Sequence, residues 1–254
     1  MSANNTRPVR HLRCHQAGFT LVELSVATLI GLFLLGGLLT LVQDMRRTFG
    51  NQNQLSQLQD NERLAMTLIT DVVQAAGYYP DPAVHTILTS FPAAAPFVSA
   101  GQAITGTRNG AAPGDGITVQ FRTAPNDGVI NCTGNTNLTG ANQTYVNTFS
   151  VDALGELTCQ LIISGAVAGA PAVLITGVNN LQILYGVKTN FAVPDNNVDS
   201  FFYADQMGGN WGNVICVKVT LTFTNPLAAN PGQPATIPFT RVITVMSRAG
   251  VNTT

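Results

Sequence analysis

Residues 18–42 read GFTLVELSVATLIGLFLLGGLLTLV, and from Phe19 to Val42 they form a run of 24 residues in which Glu23 is the only ionisable side chain. At about 1.5 Å per residue such a helix is roughly 36 Å long, enough to cross a hydrocarbon layer of about 30 Å with some tilt. A secretory signal peptide also has a basic start and an apolar run. Its apolar core is only about 7–15 residues long, however, and is followed by a small-x-small cleavage site. Here no such site precedes the polar stretch that opens at Gln43. The run reads as a membrane span. A charged group near the bilayer interior costs at least about 2.5 kcal/mol, so Glu23 needs a partner or a role.

Arg7, Arg10 and Arg13 precede the span with no acid among them, whereas Arg46 and Arg47 behind it are offset by Asp44. The positive-inside tendency then predicts N-in, C-out orientation, with the bulk of the chain outside the cytoplasm. Past the span, QDMRRTFGNQNQLSQLQDNERLAMTLITDVVQAAG keeps helical signals with no proline before Pro80. Leu55, Leu58, Ala65, Ile69, Val72 and Ala76 fall near the 3-and-4 spacing of one helix face, with Glu62 as the exception. Gly77, with Pro80 and Pro82 behind it, reads as the stop, giving one helix from about Phe19 to Ala76.

Beyond Tyr79 the chain breaks into short β-type runs divided by Gly, Pro and Asn turns. Residues 117–122, 181–187 and 217–223 alternate apolar and polar, the last with Val217, Val219, Leu221 and Phe223 on one face. A half-buried antiparallel sheet follows, and a helix preceding strands makes the fold α+β, with the amphipathic half-helix packed on that sheet. The predicted organisation is a basic stretch at 1–18, then 19–42 span, 43–77 helical continuation and 78–254 β-rich domain.

The stretch Gly18-Phe19-Thr20-Leu21-Val22-Glu23 resembles the cleavage and methylation motif of type IV prepilins and of type II secretion pseudopilins, and the resemblance implies a pilin-like fold. It also implies that residues 1–18 are a prepilin leader, cut between Gly18 and Phe19 by the prepilin peptidase on the cytoplasmic side, and that Phe19 is then N-methylated. Glu23 matches the family's acid at the fifth mature position. Its carboxylate would neutralise the amino terminus of a neighbouring subunit in an apolar filament core. Gly36 and Gly37 are where helicity would be lost on assembly; close helix packing is the alternative reason for small residues there.

Further blocks resemble the PilW family of minor pilins, in the family's order: RLAMTLITDVVQAAGYYP at 63–80, DGITVQF at 115–121, CTGN at 132–135, GELTC at 155–159, GVNNLQILYGV at 177–187, and ADQM at 204–207 followed by Trp211. Residues 83–113 and 224–238 carry no match, and FTRVITVMSRAG at 239–250 fits less well. This resemblance implies a minor pilin in the priming and tip complex of the type IV pilus. Implied partners are other minor pilins, the major pilin, the inner-membrane assembly machinery, a tip adhesin and membrane lipid. Implied localisation is the inner membrane as a single-pass protein with a periplasmic C-terminal domain, then the pilus, at its tip or base. A J-type minor pseudopilin shares the same start, and a membrane-anchored binding module is the alternative from another class.

With the leader Cys14 set aside, Cys132, Cys159 and Cys216 remain in a chain facing an oxidising compartment. One disulfide is expected. Cys132 and Cys159 both sit in loop or strand-end contexts and close a ring of 28 residues, worth roughly 3–4 kcal/mol on the chain-entropy model; three reduced, buried thiols are the alternative. Cys216 is out of phase with the apolar face of its strand and is expected as a half-buried free thiol.

Removing the first 18 residues leaves nine basic against thirteen acidic residues and no basic run after Arg47, which offers no footing for nucleic acid. Asp195, Asn197 and Asp199 have the alternation that opens a calcium loop, but Ser200 and Gln206 stand where that loop needs Gly and Glu; the segment reads as a polar turn. No metal or cofactor is expected. His85 is the only histidine after residue 18, in a proline-flanked loop, and no G-x-S-x-G, H-E-x-x-H or phosphate loop is present. No enzymatic activity is expected.

Overall fold

The structure is a computed structural model that describes residues 18–193, 195 and 197–248. The predicted leader, with its three arginines and Cys14, lies outside the described residues apart from Gly18. The chain forms two compact units, divided after Gly50.

Helix α1 runs unbroken from Leu21 to Gln74, 54 residues, through Gly36, Gly37 and Gly50. Its first two predicted residues, Phe19 and Thr20, precede it, and its last turn gives way to a bend at Gly77. There φ is +72°, the left-handed conformation that glycine adopts without strain. The Gly77 amide donates to the Gln120 carbonyl at 2.9 Å, so the helix end is tied to a strand. In the second unit α1 buries Leu58, Ala65, Met66, Ile69, Val72 and Val73. Leu55, expected on this face, is exposed at 36% because burial along the helix starts only at Leu58. The four-residue helix α2 (Ile87–Ser90) follows, capped by Thr86.

The strands form two antiparallel sheets, where the alternating pattern suggested one. The first is ordered β1 (Ile104–Thr107), β2 (Gly116–Thr123), β3 (Gln143–Val151), β4 (Glu156–Ile163) and β5 (Ala166–Val167), with β6 (Ala172–Thr176) also on β4. The second is ordered β10 (Thr236–Thr244), β9 (Val214–Thr224), β7 (Val178–Val187) and β8 (Ser200–Phe202). Residues 117–122 therefore lie in one sheet, and 181–187 with 217–223 in the other. The chain changes sheets at Gly177, whose φ of +81° turns β6 into β7.

Strand β2 departs from the half-buried pattern in a second way: Thr118 and Gln120, on its polar face, are buried too. The Thr118 hydroxyl is paired with that of Thr148 on β3 at 3.0 Å, and the loop before β1 covers Gln120. Gln120 Nε2 donates to the Gln102 carbonyl at 2.6 Å, Gln102 Nε2 donates to the Ile104 carbonyl, and Gln102 Oε1 accepts from the amides of Val98 and Ser99. Every amide group in this small network is paired, which makes its burial tolerable.

The two sheets are fastened at Gly114 and Asp115. Gly114 bridges Leu181 of β7 in parallel, the Asp115 amide donates to the Leu181 carbonyl at 2.7 Å, and the Leu181 amide donates to the Pro113 carbonyl at 3.1 Å. The Asp115 side chain, 5% exposed, accepts from the Asn109 amide at 3.0 Å through Oδ1 and from the Ile183 amide at 2.9 Å through Oδ2. Gly114 has φ +106°, and a Cβ there would run into the Leu181 carbonyl oxygen. Asp115→Ala strands two amides and should lower stability by about 2–4 kcal/mol. Gly114→Ala should cost at least about 2 kcal/mol through strain and overlap. Urea unfolding of the full chain in detergent, followed by tryptophan fluorescence of Trp211, measures both; a loss below about 0.5 kcal/mol for either would show that the sheets are held elsewhere.

Candidate functional site

The first described residue, Gly18, has open space where a Cβ would stand, with nothing within 4 Å, and Phe19 beside it is 83% exposed. Thr20 then starts the helix. Its carbonyl accepts from the Leu24 amide at 3.1 Å, and its Oγ1 accepts from the Glu23 amide at 3.3 Å. Thr20 is thus the N-cap, and Thr20-Leu21-Val22-Glu23 has the Thr-x-x-Glu spacing of a capping box. Sequence reading passes over Thr20 as a cap, although that spacing could have marked it. Only half of the box is made among the described residues: the Glu23 carboxylate neither hydrogen-bonds nor pairs with a cation there. It stands exposed in the first turn, at the positive end of the helix dipole, where an anion is favoured by about 0.3–1 kcal/mol.

Along the rest of the run every large apolar side chain from Phe19 to Val42 is exposed. The hydroxyls are satisfied within the helix: Ser25, Thr28 and Thr40 donate to the carbonyls of Val22, Ser25 and Gly37 at 2.8, 2.9 and 2.8 Å. Self-bonded hydroxyls and a continuous apolar surface suit a medium that offers no hydrogen bonds. Among the described residues α1 is the one helix long and apolar enough to cross a membrane.

Residues 13–39 match the family model described as the prokaryotic N-terminal methylation motif. Residues 138–242, from the loop before β3 to the penultimate part of β10, match the model described as type IV pilus-assembly protein W. Over that stretch the chain is similar to the PilW family. It is a minor pilin that takes part in type IV pilus assembly, and its methylation motif and apolar helix make it membrane-anchored and pilus-associated. No curated protein and no solved structure matches the chain.

In the folded domain of this minor pilin, Cys132 and Cys159 form a disulfide with Cα atoms 6.3 Å apart. It clasps the long β2–β3 loop to β4, and the Cys132 amide donates to Asn147 Oδ1 at 2.9 Å. Asn131 and Asn137 build the same loop, each accepting from the amide and hydroxyl of the threonine two residues on. Cys216 is free but buried at 6% exposure, not half-buried as its phase suggested. It packs against Gly186, where a Cβ would also meet Val198 and Phe201 at 3.0 Å, so the chain around β8 covers it. Burial pushes its thiol pKa up, with a backbone hydrogen bond from Gly186 opposing.

The Asp195–Asp199 turn is engaged by the chain's own donors. Lys188 Nζ pairs with Asp195, and Asp199 Oδ2 accepts from the amides of Thr189 and Asn190 at 2.7 Å each. These contacts hold both carboxyls below their ordinary range, Asp195 chiefly through Lys188 and Asp199 chiefly through the two amides. Among the described residues no cluster of His, Cys, Asp and Glu has a metal-holding arrangement, and His85 stands alone in its loop. Two outcomes follow for the cysteines. Iodoacetamide at pH 8 should leave Cys216 unlabelled until the chain is unfolded, and reduction of Cys132–Cys159 should lower unfolding free energy by roughly 3–4 kcal/mol. Mass mapping and urea titration with and without reductant read these directly.

Proposed function

We propose that this minor pilin works in the priming and tip complex of the pilus, after cleavage between Gly18 and Phe19 and N-methylation of Phe19. The observation that carries the reading is the Glu23 carboxylate, unpartnered among the described residues, in an otherwise uncharged apolar helix. A new amino terminus at Phe19 is a cation. In an apolar filament core an unpaired charge of either sign is costly, and pairing Glu23 with the amine of a neighbouring subunit removes both. The Thr20 cap supports this role, because it fixes the helix start and holds Glu23 on the first turn.

In this reading the prepilin peptidase acts on the cytoplasmic side and the β-rich domain lies in the periplasm. The partners are other minor pilins, the major pilin, the assembly machinery of the inner membrane and membrane lipid, with an adhesin at the tip. The match of residues 138–242 to the PilW model favours a pilus over a J-type subunit of type II secretion.

Intact mass of the membrane-extracted chain, from cells with and without the peptidase, tests the processing. The expected species begins at N-methylated Phe19, requires the peptidase, and is absent in Gly18→Ala. An unprocessed chain, or a cut after Val42, would sink the proposal. Glu23→Gln should still be cleaved yet fall at least about tenfold in its recovery from sheared pili, a separation of processing from assembly that a merely structural Glu23 does not predict.

A further inference from the structure

Strand β10 is one edge of the second sheet, and its free side is readable from the register. Just beyond its two ends the Val245 amide donates to the Ile215 carbonyl and the Asn225 amide donates to the Ala235 carbonyl, both at 2.9 Å. Antiparallel bonding alternates, so the odd-numbered residues of β10 bond to β9 and the even-numbered ones point their backbone groups away from the sheet. Pro238 agrees, since its missing N–H falls on the outward side. The amides of Thr236, Thr240, Val242 and Thr244 and the carbonyls of all five even residues thus face outward, and among the described residues nothing bonds to them.

Proteins usually blunt such an edge with a charge, a bulge or a very short strand. The other edges here are short: β1 has four residues, β5 two, β6 five with a register shift in its pairing to β4, and β8 three. β10 has nine, is unbroken in register, and carries no charge on its outward-facing Pro238, Thr240, Val242 or Thr244. Its other side chains are left unfinished. Ile237 and Phe239 reach the core only in part, and the half-buried Arg241 donates to Thr70 Oγ1 at 3.4 Å with no carboxylate paired to it among the described residues.

We propose that β10 takes up an extended strand from a different pilus subunit, with apolar side chains beside Ile237 and Phe239 and an acid opposite Arg241. An added strand would occupy the outward amides and carbonyls, finish covering the two apolar residues and neutralise the guanidinium. A second copy fits worse: β10 contains no Asp or Glu, so a β10–β10 pairing leaves both Arg241 side chains unmatched on one face. The proposal rests on the chain being a pilus subunit and not on its place at the tip.

The test is amide-resolved hydrogen exchange of the full chain in detergent, alone and co-purified with the other pilins of its own pilus. The amides of Thr240, Val242 and Thr244 should exchange at least tenfold more slowly in the complex, while those of Phe239, Arg241 and Ile243 are protected in both. Val242→Pro deletes one outward N–H and should retain the native melting temperature but reduce co-purified pilin about tenfold; Thr240→Ala should change neither. Unaltered exchange at 240, 242 and 244 in the complex overturns the proposal. So does protection already present in the isolated chain, which assigns the edge to a second copy or to the chain's own C-terminal residues. Should Val242→Pro fail to fold, the exchange pattern of the unsubstituted chain decides alone. None of these results depends on where the N-terminus is cut, so failure here and failure of the processing test are separable.

Discussion

The Asp115 carboxylate, sealed between the two sheets, accepts from the backbone of Asn109 on one side and of Ile183 on the other, and the β-rich domain is arranged around that contact. Burying an anion is costly unless its lone pairs are filled, and here oriented amides fill them. The neighbourhood is shaped to fit. Gly114 brings the backbone close enough to Leu181 to bridge the sheets, and Gly106 leaves room for the buried Tyr185 phenol. Burial, and then the charge of Asp115, both push that phenol's pKa upward, so it stays protonated beside the carboxylate. The Tyr185 ring in turn meets Trp211 edge-on, with centroids 4.9 Å apart.

The N-terminal unit obeys a different rule. Its surface is apolar throughout the span, its hydroxyls there are bonded inside the helix, and the one charge sits at the first turn. Tertiary burial contributes nothing to this half of α1, whose stability comes from backbone bonding in a medium without water. The second half behaves as a water-soluble helix does, with one stripe buried and the rest polar.

How much of this is legible in the sequence differs from element to element. A 24-residue run with Glu23 as its one ionisable side chain leaves few alternatives to a helix, and the 3-and-4 spacing from Leu58 onward extends it to Gln74. Alternation at 117–122, 181–187 and 217–223 locates three strands. It does not assign them to two sheets, because a period of two tells which side chains share a face and not which strands are neighbours. Thr118 and Gln120 mislead for a related reason: polarity on a strand signals water only when nothing else supplies hydrogen-bond partners, and here the Thr148 hydroxyl of β3 serves Thr118 while the Gln102 carbonyl serves Gln120. Cys216 lies deeper than its phase implies because its cover comes from β8, a three-residue strand with no pattern to read. At the N-terminus, Glu23 stands out as a charge out of place, whereas Thr20 is lost in the apolar run around it: its Thr-x-x-Glu spacing is a sequence cue, and the hydrogen bond from the Glu23 amide to its hydroxyl shows it to be a cap.

The seclusion of Cys216 bears on how the chain reaches one covalent form. Three thiols permit three different single bridges. Once β7, β8 and β9 have come together, the third thiol is out of reach behind Gly186, and two of the three pairings become impossible without undoing that sheet. A chain whose second sheet has assembled has one cross-link left to make among these three cysteines. Burying the third sulfur thus leaves the folded domain a single pairing, that of the other two.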